Sequence, residues 1–266
     1  MRTVETHMNS ESARGYRPCI IIPGIGQSRV IETEENGEKI RNLWPFDPDI
    51  DALVKSVAPS AARMMLLRRD CGFTAALDRA VRTMLEPLSC TPDSMRKVRA
   101  EVVGYYRPVG ECTAGEKRYI YKMVPLNALA DIIGEENLYF FAYDIFGRAD
   151  ENARLLREFI AMVRQCEKVD LIPVSMGATV AEMYFELYGA DQDVKRVIGV
   201  VPAYDGSDIA ADLVAGDINT DDCGALLEML LSRREAEKIS KLMHMMPKKV
   251  ADGAVRALVQ AACESV

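Results

Sequence analysis

Histidine is the scarcest titratable residue in this sequence, with only His7 and His244 among 266 residues. Neither stands in an obvious position beside a reactive side chain. His7 lies in a polar segment at the start of the chain, and His244 lies in a methionine-rich stretch with a helical pattern. Chemistry that needs an imidazole as general base therefore has few candidates.

Cysteine pairs with the spacing of metal ligands are absent as well. The seven cysteines lie far apart, their number is odd, and no C-x-x-C pair occurs. This pattern argues against a zinc site and against a disulfide framework. It favours reduced thiols and a cytoplasmic location, and we expect no metal.

Several signatures of other protein classes are also missing. Neither G-x-G-x-x-G nor a P-loop with its lysine follows a strand, so no nucleotide cofactor is expected. The net charge of -7 and the lack of interleaved basic and aromatic residues argue against binding nucleic acid. Residues 1–17 form no apolar run, which excludes a signal peptide or membrane span there and predicts a loose tail.

Strands that alternate with helices dominate the middle of the chain. Residues 137–144 read as a buried strand, 152–165 as an amphipathic helix, and 194–201 as a further strand, a pattern typical of a parallel sheet. Residues 49–88 are helical in pattern, 119–124 suggest a strand, and 124–133 a helix ending at Gly134. Residues 32–39 predict a hairpin or a surface loop around Asn36-Gly37. Beyond Ser207 the pattern is helical only.

Ser175 lies where an apolar strand, a tight corner and a helix follow one another, in residues 169–180. This is the arrangement of a nucleophile elbow, which lifts a serine hydroxyl above a sheet. The N–H of Met176 would then be one oxyanion donor. A second would come from the loop after the first strand, residues 23–28, where Ile25 is the first choice and Gly24 and Gly26 allow close approach. An ordinary strand-to-helix turn with a serine N-cap is the alternative.

Five segments in a fixed order resemble the lecithin:cholesterol acyltransferase-like branch of the α/β-hydrolases. Residues 20–28 resemble that family's V-P-G-x-G-x-S opening, and the later segments resemble its tryptophan segment, its Y-D-W-R segment, its H-S-M-G region and its P-x-x-G-S segment. In the same order, these later segments are residues 42–45, 139–148, 171–177 and 200–207. The resemblance spans about residues 18–207.

The resemblance implies an α/β fold, with a mostly parallel sheet flanked by helices in residues 18–207 and a helical lid-like segment in 208–266. It implies a serine-dependent acyl-ester hydrolase or O-acyltransferase acting on lipid-like substrates through an acyl-enzyme on Ser175. Ile25 and Met176 would be the oxyanion donors. The methionines of the lid-like segment could offer an adaptable surface for acyl chains, and the segment could lie on a membrane surface.

The chain departs from the family pattern at several positions. Pro173 stands where the elbow prefers a small residue, Val174 replaces a histidine, and Ala178 replaces a second glycine. The family's acid and base follow later strands, whereas the residues after Ser207 look helical, so His244 as base and Asp205 as acid are the available candidates. The alternatives are a fragment of a longer enzyme, with an incomplete catalytic domain, and an impaired hydrolase-like protein that binds a lipid or a partner.

Overall fold

The computed structural model describes residues 15–46, 49–91, 96–164, 168–189 and 192–208, together with residues 211 and 215. These residues form two compact units. The first unit comprises residues 15–28, 103–143 and 149–204, and the second comprises residues 29–102, 144–148 and the described residues from 205 onward.

The chain forms seven strands and six α-helices within the described residues. The strands are β1 (Cys19–Ile22), β2 (Val30–Thr33), β3 (Lys39–Trp44), β4 (Ala100–Val102), β5 (Leu138–Phe140), β6 (Val169–Pro173) and β7 (Val194–Val197). The helices are α1 (Ile50–Leu67), α2 (Phe73–Leu85), α3 (Ala114–Met123), α4 (Asn127–Ile133), α5 (Ala149–Val163) and α6 (Gly177–Tyr188).

The first unit contains a four-stranded parallel sheet in the order β5-β1-β6-β7. Every residue of β1, β5 and β6 is buried. Continuous burial is expected of parallel strands that helices cover on both faces. The prediction of an α/β fold with a mostly parallel sheet flanked by helices is confirmed at this level.

The two faces of this sheet carry different helices. Ile21 and Phe140 point to the face where Ile120 of α3 and Ile133 of α4 pack. Side chains alternate along a strand, so the residue after Phe140 points the other way. There Phe141 meets Phe159 of α5, with 5.3 Å between the ring centroids. Helix α6 packs against α5 on that same face.

One predicted strand is wrong, because residues 119–124 belong largely to α3. A capping box begins this helix: the Thr113 hydroxyl accepts from the Glu116 N–H, and the Glu116 carboxylate accepts from the Thr113 N–H. These bonds satisfy N–H groups that have no partner within the helix. They outweigh the strand preference of the aromatic and β-branched residues at 119–121. The next predicted helix, ending at Gly134, is confirmed as α4.

The second unit joins a small antiparallel sheet to a pair of helices. Strands β2 and β3 form a hairpin, and β4 pairs with the other edge of β2. Gly37 has φ 84° at the turn, where the Asn36 side chain accepts from the Glu38 N–H. The hairpin is therefore the correct one of the two alternatives for residues 32–39. Helices α1 and α2 pack through Val57, Met64 and Phe73.

Several strands are shorter than the sequence predicted. Strand β5 covers three of the eight residues predicted at 137–144, and β7 ends at Val197 although an isolated bridge joins Val200 to Val174. Most of the predicted lid-like segment lies outside the described residues. None of the helices that the structure describes is both long and apolar enough to cross a membrane.

Candidate functional site

Ser175 occupies the turn between the end of β6 at Pro173 and the start of α6 at Gly177. Its φ is 49°, in the left-handed region that non-glycine residues seldom adopt. Ser175 is partly exposed, although every residue of β6 before it is buried. The turn therefore brings a hydroxyl-bearing side chain out of the sheet at some cost in backbone strain.

Backbone hydrogen bonds hold Ser175 in this conformation. Its N–H donates to the carbonyl of Val200 at 3.0 Å, and its carbonyl accepts from Ala203 at 3.1 Å and from Ala178 at 3.0 Å. The first two partners follow β7, and the third lies in the first turn of α6. The position is therefore fixed by two different segments of the first unit, as a strained residue requires.

Gly177 stands where no side chain fits. A Cβ at this position would lie 2.2 Å from the carbonyl oxygen of Ile22 and 2.7 Å from that of Pro23. Both atoms belong to the backbone and cannot swing aside. The absence of a side chain at Gly177 is thus what lets α6 begin directly against the end of β1.

The loop after β1 lies against Ser175. A Cβ on Gly24 would be 2.9 Å from the Cβ of Ser175 and 3.2 Å from the carbonyl oxygen of Val174. Gly26 has φ 78°, which suits glycine, and the side chain of Ile25 between them is 54% exposed. The structure therefore brings Ser175 and the predicted loop of Gly24, Ile25 and Gly26 together.

Two backbone N–H groups at this place are open donors within the part of the chain that the structure describes. Between residues 174 and 179 each N–H except that of Met176 donates to a backbone carbonyl. In the loop, the Gly24 N–H donates to Oε1 of Gln27 at 2.6 Å, whereas the Ile25 N–H has no acceptor among the described residues. These two residues are the ones for which the sequence analysis proposed an oxyanion role, and that role stays a prediction.

Sheet topology makes this point a place where ligands bind in other parallel sheets. The site lies at the carboxyl ends of β1 and β6, which are neighbours in the sheet. The chain after β6 continues into α6 on one face, whereas α3 and α4, which precede β5, cover the other face. A parallel sheet opens between two strands whose helices lie on opposite faces, and ligands bind there.

Sequence reasoning missed the side chains that anchor the loop. The buried Tyr143 hydroxyl donates to the carbonyl of Pro23 at 2.8 Å, and burial raises the pKa of this phenol. The Tyr143 N–H donates to the buried hydroxyl of Ser28 at 3.1 Å. The Gln27 side chain donates to the carbonyl of Met123 at 2.7 Å. Sequence separations of 96 to 120 residues hide these contacts from pattern analysis.

The predicted base lies outside the described residues, and the predicted acid belongs to the other unit. His244 and His7 both lie outside the described residues. Asp205 is exposed in a turn before Gly206, which has φ 85°, and it is part of the second unit. Asp144 pairs with Arg96, whose guanidinium donates to both carboxylate oxygens at 2.5 and 2.9 Å.

No group of three or more His, Cys, Asp or Glu side chains among the described residues could hold a metal ion. Comparisons with known proteins add no identity: no family model matches the chain, and no curated protein and no solved structure matches it.

Proposed function

We propose that this chain has an α/β-hydrolase fold and is a serine-dependent acyl-ester hydrolase or O-acyltransferase acting on lipid-like substrates. One observation carries the proposal. Ser175 is held at positive φ at the carboxyl end of a central parallel strand, against a glycine loop. A nucleophile elbow needs this combination, because the serine must stand above the sheet beside backbone donors.

The backbone strain at Ser175 distinguishes a nucleophile elbow from an ordinary helix cap. An N-cap serine adopts an extended backbone and accepts a hydrogen bond from the first turn. Ser175 has φ 49°, and the residue next to α6 is Met176, which makes no side-chain cap. Backbone strain of this kind persists where the surrounding structure enforces it, and such positions cluster at active sites.

The chemistry assigned to the site is acyl transfer. The Ser175 Oγ attacks the ester carbonyl carbon, a base takes the hydroxyl proton, and the Met176 and Ile25 N–H groups stabilise the oxyanion. Collapse of the tetrahedral intermediate breaks the ester C–O bond and returns the proton to the leaving alcohol. Water or an acceptor alcohol then takes the acyl group from Ser175.

The base in this proposal is His244, with Asp205 as the residue that orients it. Neither assignment rests on contacts, because His244 lies outside the described residues and Asp205 is in the second unit. Support comes from the scarcity of histidine alone, because His7 is the other histidine of the sequence. Triads are recognised by geometry and not by position in the chain, so a functional test is needed.

A fluorophosphonate probe tests the nucleophile directly. We expect labelling of the intact protein at Ser175, located by peptide mass spectrometry, and its complete loss in Ser175→Ala. Ser175→Gly is the matched control for folding, since glycine suits a positive φ and also removes the hydroxyl. His244→Gln should slow labelling by roughly 100-fold or more, whereas His7→Gln should not change it.

Each other outcome has a definite meaning. A folded protein that no probe labels contradicts the enzymatic proposal. If that protein still binds a long-chain fatty acid in calorimetry, the alternative of a hydrolase-like binding protein replaces it. Equal labelling of His244→Gln and of the unchanged protein would remove His244 as the base and leave Ser175 as the nucleophile.

A further inference from the structure

The Gln27 side chain connects two backbone groups of the first unit that lie far apart in the sequence. Its Oε1 accepts from the Gly24 N–H at 2.6 Å, and its Nε2 donates to the carbonyl of Met123 at 2.7 Å. Met123 ends α3, so its carbonyl is one of those that have no partner within the helix. One amide side chain therefore satisfies a loop donor and a helix acceptor together.

An amide suits this position better than any other side chain. The bridge needs one acceptor and one donor on the same planar group, which glutamine has. A glutamate would keep the acceptor for Gly24 and present a second acceptor to the Met123 carbonyl. A leucine of similar size would provide neither.

The bridge also decides which N–H of the loop is available. Gly24 is the loop residue whose backbone stands against Ser175, yet its N–H is occupied by Gln27. The Gln27 N–H donates to the Gly24 carbonyl at 3.3 Å and closes a turn over residues 24–27. The Ile25 N–H, inside this turn, has no acceptor in the described part of the chain and is left for a ligand.

We propose that Gln27 is a positioning residue, which fixes the loop of residues 24–27 so that the Ile25 N–H can bind the oxyanion formed on Ser175. This inference rests on the proposed function. Gln27 does not touch the substrate; it acts through the backbone of the loop and through the end of α3.

The test compares Gln27→Leu with Gln27→Glu in the full chain. We expect Gln27→Leu to lower the rate constant of fluorophosphonate labelling at Ser175 by roughly 10- to 100-fold, with little change in probe affinity. Gln27→Glu, which retains the bond to Gly24, should lose less. Gln192→Leu exchanges the same residue types and is the control, because Gln192 is exposed and precedes the edge strand β7 at the end of the sheet away from Ser175. Since Gln192 has φ 53°, we expect its substitution to affect stability and not the labelling rate constant.

Hydrogen exchange at the Gly24 amide supplies a second measurement that needs no catalysis. We expect protection in the unchanged protein and in Gln27→Glu, and rapid exchange in Gln27→Leu. A merely structural bridge would lower the melting temperature without changing the labelling rate constant of the folded protein.

The remaining outcomes overturn the inference in separate ways. An unprotected Gly24 amide in the unchanged protein would mean that the bridge does not exist in solution. Faster labelling of Gln27→Leu would make Gly24 the oxyanion donor and Gln27 its blocker. If Ser175 is never labelled while Gly24 protection still depends on Gln27, the proposed function fails and Gln27 is only a structural contact.

Discussion

Strand β6 has a polar residue near each end, and the two are accommodated in opposite ways. Asp170, near the amino end, is buried and accepts from Arg196 at 2.5 Å and from its Nε at 3.2 Å. Ser175 follows the carboxyl end, is partly exposed and has a strained backbone. At the first position a partner satisfies the side chain, and at the second the surrounding backbone forces the conformation.

This contrast separates a structural polar group from a candidate reactive one. A buried carboxylate is tolerated because a guanidinium and hydrogen bonds compensate for its desolvation. At Ser175 three backbone hydrogen bonds hold the unfavourable φ in place, and none of them uses the side-chain hydroxyl. We infer a function from the observed strain, and substitutions at each end of β6 test that inference.

Gly177→Ala should have the largest effect. The new Cβ would stand 2.2 Å from the carbonyl oxygen of Ile22, so α6 must move away from β1. We expect a loss of about 3 kcal/mol in the free energy of unfolding, measured by urea denaturation. The same displacement should abolish labelling of Ser175.

Gly189→Ala is the control for this substitution. Gly189 follows the other end of α6, has φ -58°, and a Cβ there meets no atom within 4 Å. We expect it to be neutral or slightly stabilising. Similar stability of the two variants would show that the contact between α6 and β1 is loose in solution.

Much of this site was visible in the sequence, because it rests on local patterns. The apolar run of β1, the glycines of its loop and the strand–serine–helix order of residues 169–180 all lie within short segments. Gly177 shows where such reasoning stops. Its glycine can be read in the sequence, but the reason for it is the backbone of Ile22, more than 150 residues away.

The strand wrongly predicted at residues 119–124 was a local error, whereas the missed contacts join residues far apart in the sequence. Residues 119–121 have the composition of a strand, and the capping box at Thr113 determines a helix instead. The bridge from Gln27 to Met123 depends on the position of α3 above the sheet. The pairing of Asp170 with Arg196 depends on the register of β6 and β7, in which these two residues face each other.

Asp170→Asn tests the amino end of β6 and should have an intermediate effect. It removes the charge that Arg196 binds, but Arg196 is 58% exposed and can turn to water. We therefore expect a loss of about 2 kcal/mol in the free energy of unfolding, below the usual cost of breaking a fully buried pair. Labelling of Ser175 in the folded protein should not change, because the other end of the strand carries the site.

Asp193→Asn provides the matched control for that variant. Asp193 also pairs with an arginine, Arg164, but the side chain of Asp193 is 17% exposed, against 7% for that of Asp170. Its loss should change stability by less than about 0.5 kcal/mol. An equal loss in both variants would mean that burial of Asp170 does not strengthen its ion pair.

Cys19 gives the smallest expected effect, again at the amino end. Its thiol is buried, and burial first and the charge of Asp170 second raise its pKa from 9.0 to about 12. Above pH 9 the unfolded chain therefore releases this proton while the folded protein keeps it. Linkage then makes stability fall as pH rises, with the contribution of Cys19 fully present below pH 9 and lost by about pH 12.

Urea denaturation in reducing buffer between pH 8 and 9.5 measures this effect while most tyrosines of the unfolded chain are still protonated. The loss assigned to Cys19 over this range is about 1 kcal/mol, and Cys19→Ala should remove it and flatten the pH dependence. Parallel pH profiles for the two proteins would contradict the raised pKa. Cys19→Ala should also leave the labelling of Ser175 unchanged at each pH. Cys19 pairs with Asp170 at the amino end of the sheet, and Ser175 follows the carboxyl end.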